Sequence, residues 1–237
     1  MRDRDGLPQL ARGCVATVGT FDGVHLGHRD ILRRVQERAV ATGLPAVLIT
    51  FRPHPLEVVN PSAAPMLLTP HEEQLDALVD SGPLAVIVVP FTATLARYSA
   101  ESFVNVLLIE RYHMRELVIG YDHGLGRGRQ GDMSVLAELG KRYRFGVDVV
   151  APTVDELGVP ISSSAIRTSL AHGDLDRVAR ALGRPYSFHG VVVPGQQRAV
   201  TSGIRRSTSS SASRANFFRP RVYTPSAHAR RVAPSTG

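Results

Sequence analysis

The sequence predicts an α/β fold, a mostly parallel sheet of about five or six strands wrapped by helices over roughly residues 10–185. Three observations carry that prediction. Short, largely apolar runs recur at Cys14–Val18, Pro45–Phe51, Leu84–Phe91, Glu116–Gly120 and Val147–Val150, and the run Pro45–Phe51 is continuous, as a strand buried on both faces requires. Between them lie stretches with apolar residues three and four apart, the spacing of one helical face. Clusters of Gly, Pro and Ser punctuate the alternation. With 237 residues, 43% of them hydrophobic, the chain can build a proper core in one large domain or two small ones.

The first unit organises the rest. The strand Cys14–Val18 runs through a tight turn at Gly19-Thr20-Phe21-Asp22-Gly23-Val24 into a helix opening near His25. Ile31, Leu32, Val35, Ala39 and Val40 form that helix's apolar face, and Gly43 is its stop. His25 and His28, three residues apart, share one side of the first turn, where free backbone N–H groups and the positive dipole end point. Gly19, Gly23 and Gly27 carry no side chain to keep a phosphate away from the backbone. A bare His-x-x-His fits solvated helix histidines as well. Joined to the glycine turn, it describes a nucleotide phosphate site.

The second strand, Pro45–Phe51, ends at Arg52-Pro53-His54-Pro55, which two prolines should hold as a rigid extended loop. It lies where open α/β sheets bind ligands, although a stiff connector accounts for the residues equally. Thr69-Pro70-His71-Glu72 reads as a capping box for a helix through Leu75, Leu78 and Val79, closed by Gly82-Pro83. After the strand Leu84–Phe91, Ser99 should cap a helix whose face is Phe103, Val104, Leu107 and Leu108. The strand Glu116–Gly120 then opens into a glycine-rich loop reaching Asp132. Its Arg127 and Arg129 suit either phosphates or a flexible surface.

Val135, Leu136 and Leu139 mark a further helix before the strand Val147–Val150. In Val159-Pro-Ile-Ser-Ser-Ser-Ala-Ile-Arg167, consecutive serines before an apolar-periodic stretch cap a helix and offer hydroxyls to an anion. Arg167 follows Ser163 and Ser164 by one turn, within reach of the same anion. A plain serine-capped helix explains the serines but not the arginine. Asp174–Gly183 is a short helix, and Arg184–Val193 begins another strand.

These strings resemble a known family. Gly-Thr-Phe-Asp-Gly-Val-His-Leu-Gly-His is similar to the His-x-Gly-His signature of nucleotidylyltransferases, in the form found in bacterial bifunctional riboflavin kinase/FMN adenylyltransferases, the FAD synthases. Thr-Phe-x-Pro-His-Pro, the glycine loop after residue 120 and Ile-Ser-Ser-Ser-x-x-Arg follow in family order. Leu125 stands where the family usually has Phe, and Ser164 where it has Thr. The resemblance implies a Rossmann-like nucleotidylyltransferase domain that transfers AMP from ATP to FMN, giving FAD and pyrophosphate. It implies His25, His28 and Arg167 as catalytic residues. Gly19, Phe21, Asp22, Gly27, Ser163 and Ser164 would bind ATP, and Phe51, Pro53, His54 and Asp122 would line the flavin pocket. Mg²⁺ is expected with ATP, and no protein metal site. Two alternatives stand beside this reading, a related transferase with another acceptor and a non-catalytic remnant that binds nucleotide or flavin.

Composition narrows the partners. Seven of the 28 Lys and Arg lie in residues 199–237, which hold no Asp or Glu, so residues 1–198 balance at 21 basic against 21 acidic groups. The net charge of +7 therefore belongs to the tail and gives no reason to expect nucleic acid. The lone Cys14 excludes an internal disulfide and a cysteine-rich zinc site, and its apolar surroundings suggest buried filler. No apolar run is long enough to span a membrane and no signal-peptide core opens the chain, so a cytoplasmic protein is expected.

The expected organisation is an adenylyltransferase domain at 1–185, the start of a riboflavin kinase barrel at 186–198, and a disordered basic tail at 199–237. The family's kinase segment, with its Thr and Asn for ATP–Mg²⁺, is missing after Gly195. Ser- and Arg-rich sequence that cannot bury a core replaces it. A GC-rich codon choice for residues 199–209, read in a shifted frame, encodes Arg-Asp-Leu-Gly-Tyr-Pro-Thr-Val-Asn-Leu, the missing segment. A frameshift just after Arg198 is therefore expected, and with it loss of riboflavin kinase activity.

Overall fold

The protein is described from a computed structural model at residues 10, 12–81, 85–187, 192–193, 208–209 and 221–223. Five parallel strands form the sheet: β1 (Cys14–Val18), β2 (Ala46–Arg52), β3 (Ala85–Pro90), β4 (Met114–Gly120) and β5 (Gly146–Val150). Their spatial order is β5-β4-β1-β2-β3. The order reverses between β1 and β4, so the loops leaving the C-terminal ends of those two strands flank the crevice where such sheets take ligands.

Each face is covered because the strands are apolar on both sides. On one face α1 (Leu26–Thr42) lays Leu32, Val35 and Ala39 against Val15, Leu48, Val86 and Val118, and Leu78 of α3 (His71–Val79) joins them. On the other, Phe103, Val104, Leu107 and Leu108 meet Leu136 and Leu139 of α6 (Met133–Tyr143) over Ala16, Val47, Ile49 and Leu117. A third cluster of Leu68, Ile166, Val178 and Leu182 unites α7 (Ser163–Ala171) and α8 (Leu175–Leu182). Cys14 is fully buried. Its Sγ donates to the Tyr112 carbonyl at 3.3 Å, and burial pushes the thiol up to about 12.

Three local expectations are corrected. Residues 52–55 are not wholly extended. Pro55 opens a short helix, α2 (Pro55–Val59), whose missing N–H costs nothing at the first position. The box at Thr69 does not form, because Thr69 N–H is taken by Asp22 and Pro70 occupies the cap position without a side-chain acceptor. After the short α4 (Ala93–Ala96), Ser99 caps α5 (Ala100–Ser102) as expected, but the helix continues over Phe103–Arg111 with π-type winding rather than α.

Within 199–237 the described residues are 208–209 and 221–223, and they form two short strands. Thr208–Ser209 pairs with Val192–Val193, and Arg221–Tyr223 runs antiparallel to β3. The outer edge of β3 offers unpaired backbone groups that an extended segment satisfies, whatever its composition. The rest of 199–237 lies outside the described residues.

Candidate active site

The crevice at the β1–β4 reversal is built from the turn between β1 and α1. His25 caps α1, and its Nδ1 accepts the backbone N–H of His28 at 3.3 Å. An accepting Nδ1 puts the proton of the neutral ring on Nε2, so this cap selects the tautomer that donates outward. The two imidazoles are stacked, 3.6 Å between centroids and 19° between planes. Phe21 meets the His28 ring at 4.9 Å, tilted by 50°.

Burial holds both rings neutral. The His25 pKa is pushed down to about 4, chiefly by desolvation, against the opposing pull of the Asp122 carboxylate. That of His28 falls well below the ordinary histidine value through burial and the neighbouring His25. His28 Nδ1 is buried with no hydrogen-bond partner, which costs free energy until something supplies one. The first intrahelical bond, Arg29 N–H to the His25 carbonyl at 3.0 Å, begins after Leu26 and Gly27, whose amides precede the ladder.

The glycines of this turn make room for its own side chains. A Cβ on Gly19 would lie 3.0 Å from the Phe21 ring, and one on Gly27 would lie 3.3 Å from the His25 ring and 3.5 Å from the Ile161 carbonyl. Phe21, at φ +50° and 2% exposed, is thus a wedge beneath His28, without a surface of its own to offer ATP.

The second expected motif is brought to the same crevice. Ser162, the first of the three consecutive serines, caps α7, its Oγ accepting Ala165 N–H at 3.2 Å. Ser163 Oγ donates to the Asp22 carbonyl at 2.9 Å, and Ser164 is exposed. Arg167 Nε donates to the Met66 carbonyl at 2.8 Å, while its Nη2 pairs with the Asp22 carboxylate. Asp22 is 3% exposed, and its carboxylate also accepts the Leu68 and Thr69 amides, so it is not free to bind phosphate.

The residues expected beside the flavin separate. Phe51 points into the core against Phe91 and Phe103, at 5.4 and 6.1 Å between centroids, whereas Pro53 is exposed. His54 caps α2, accepting Leu56 N–H at 3.2 Å while Glu57 returns a bond to its backbone, and the Arg52–Pro53 peptide is cis. Asp122 leaves the end of β4 beside the His25 turn, and Arg129 folds back to donate to its carbonyl.

Two histidines escaped the sequence reading. His71, half-buried, faces Gln74 at 3.4 Å, and its burial, helped by the nearby Arg52, lowers its pKa. His123, pushed down to about 4 mainly by burial, has an Nε2 without a partner. Its place in a glycine-rich loop at the end of a central strand was the only signal. Beside the crevice, a cavity of about 300 Å³ opens between Leu26, the 154–160 turn, α7 and α8. Among the described residues no three His, Cys, Asp or Glu side chains gather as a metal site, and no helix is long and apolar enough to cross a membrane.

Known proteins match this architecture. The sequence model of FAD synthetase matches residues 7–165. The bifunctional riboflavin kinase/FMN adenylyltransferase of Escherichia coli (strain K12) is 38% identical over 192 residues, covering 81% of this chain and 61% of that protein. The protein of the same name from Pseudomonas fluorescens is 39% identical over the same shares. The chain therefore spans about three-fifths of the length of these relatives. A crystal structure named as a macrolide-efflux protein from Streptococcus pneumoniae superposes with a TM-score of 0.65 at 28% identity, covering 85% of this chain and 64% of that one. The family match contains the glycine turn, the paired histidines and the serines of α7 within one continuous span, and the chain belongs to the FAD synthetase family.

Proposed function

We propose that this chain is an FMN adenylyltransferase, transferring AMP from ATP to FMN to give FAD and pyrophosphate. The observation that carries the proposal is the pair of neutral, stacked histidines at the N-terminus of α1, with His25 held in the tautomer that donates from Nε2. An oxygen of the FMN phosphate attacks the α-phosphorus of ATP. The new O–P bond forms as the bond to the bridging oxygen breaks, and pyrophosphate leaves with the electron pair. Nothing in that displacement requires a covalent intermediate on the protein. Alignment and charge stabilisation suffice.

His25 Nε2–H and the amides of Leu26 and Gly27 would meet the charge that builds on the phosphoryl oxygens, with His28 beside them. Ser164 and the unused N–H groups of Arg167 would hold the leaving pyrophosphate end, with Mg²⁺ arriving bound to ATP. His54 and Asp122 remain the residues we assign to the flavin side. Phe51 supports that wall from the core. Small-molecule substrates and a cytoplasmic location complete the reading, with neither nucleic acid nor membrane as partner. We assign no riboflavin kinase step to residues 186–237, which lack the family's Thr and Asn segment.

The test is chromatography of the protein with FMN, ATP and Mg²⁺. FAD and pyrophosphate in equal amounts support the assignment. No FAD from folded protein would return the chain to the remnant reading.

A further inference from the structure

Asp22 joins three segments far apart in the chain. Its Oδ1 accepts Leu68 N–H at 2.9 Å and Thr69 N–H at 3.2 Å, its Oδ2 pairs with Arg167, and its carbonyl accepts Ser163 Oγ at 2.9 Å. Arg167 in turn donates from Nε to the Met66 carbonyl at 2.8 Å. The glycine turn, the 66–69 segment leading into α3, and the start of α7 thus close on one buried carboxylate. A carboxylate repels phosphate, so whatever Asp22 contributes to substrate binding passes through the arginine.

A guanidinium has five N–H donors in a fixed plane, and Asp22 and Met66 engage two of them. The rest stay available, on a side chain that those two bonds tie to the glycine turn and to the 66–69 segment. The 66–69 segment meanwhile borders the side assigned to flavin. The short run 60–65 joins it to α2, the helix that His54 caps.

Building on the adenylyltransferase reading, we propose that Asp22 is a positioning residue that makes Arg167 a shared link between the nucleotide and flavin halves of the site, so that each substrate tightens the other. Nucleotide phosphates that fix the guanidinium also fix the Met66 carbonyl and the segment behind it. Flavin that orders the segment first leaves less ordering for the nucleotide to do. By linkage the two factors must be equal.

The experiment measures equilibrium binding of FMN and of a non-hydrolysable ATP analogue with Mg²⁺, each alone and in the presence of the other. Wild-type protein should show a reciprocal gain of about tenfold. In Asp22→Asn the gain should collapse to about one. Arg167→Lys, which keeps the charge but loses the planar fork and leaves Asp22 bonded to two backbone amides, should do the same even if Asp22→Asn fails to fold.

A merely structural Asp22 would lower the melting temperature and leave the coupling factor untouched, and that result overturns the proposal. So would independent binding of the two ligands to wild-type protein, or a coupling factor unchanged in Arg167→Lys. Because nothing turns over in this measurement, coupling without FAD formation would count against the adenylyltransferase reading alone. Failure of either ligand to bind wild-type protein would sink both.

Discussion

The ring of His28 lies flat against that of His25 while its own backbone N–H is bonded to His25 Nδ1, so one residue both stacks upon and sets the tautomer of the other. The pair is preorganised without any ligand. That is the condition under which neutral donors stabilise developing charge most effectively, because no reorganisation is left for the reaction itself.

His28→Ala should therefore lower kcat for FAD formation by about 100- to 1,000-fold, with a smaller effect on KM. His25→Ala should match it in rate and add about 1 kcal/mol of destabilisation from the lost cap. Steady-state kinetics with FMN as the varied substrate check both. An unchanged kcat in His28→Ala would remove the histidines from the mechanism.

Acid should destabilise the ligand-free protein earlier than carboxylate titration does. His25 and His123 are each pushed down to about 4, whereas an unfolded chain binds those protons near 6.5. Between these values the unfolded state holds more protons, so stability is complete above about pH 6.5 and is lost as pH falls toward 4. The loss is on the order of 3 kcal/mol for each ring. Melting curves at pH 7.5, 6 and 5 should fall in that order, and a flat series would show that the rings are solvated.

The loop after β4 offers a contrast between two glycines. Gly126 has φ +73°, and a Cβ there would lie 2.4 Å from the Ala100 nitrogen, whereas Gly128, at φ +65°, has nothing within 4 Å. Gly126→Ala should cost about 2–4 kcal/mol through a backbone clash that cannot relax, and Gly128→Ala only about 1 kcal/mol. Chemical denaturation separates them, and equal midpoints would show that the loop does not pack on α5 as described.

With riboflavin and ATP in place of FMN, no FMN should accumulate. Sequencing the DNA that encodes residues 195–237 should show the kinase segment in a shifted frame. Its absence from all frames would dispose of the frameshift.

Most of the fold could be read from the sequence because parallel strands buried on both faces are plain in runs such as Val47-Leu48-Ile49 and Leu117-Val118-Ile119. The paired histidines were legible for a similar reason, since a glycine turn and a helix start fix where side chains three residues apart must point. What the sequence hid were long-range exchanges of partners. Nothing local shows that Asp22 commits its carboxylate to Leu68, Thr69 and Arg167, or that Phe51 turns into the core to meet Phe103. The π-type winding after Ser102 was equally invisible, because its apolar residues also satisfy an α-helical spacing.

The burial of Cys14 has a practical side. Its thiol is inaccessible, proton-bound at neutral pH and the only one in the chain, so the protein should ignore maleimide and other thiol-directed dyes. Cysteines engineered at exposed positions such as Met66 and Thr168 would then be the sole reactive handles. A pair of fluorophores placed there would report the distance between the 66–69 segment and α7 as ligands arrive, with no background labelling to subtract.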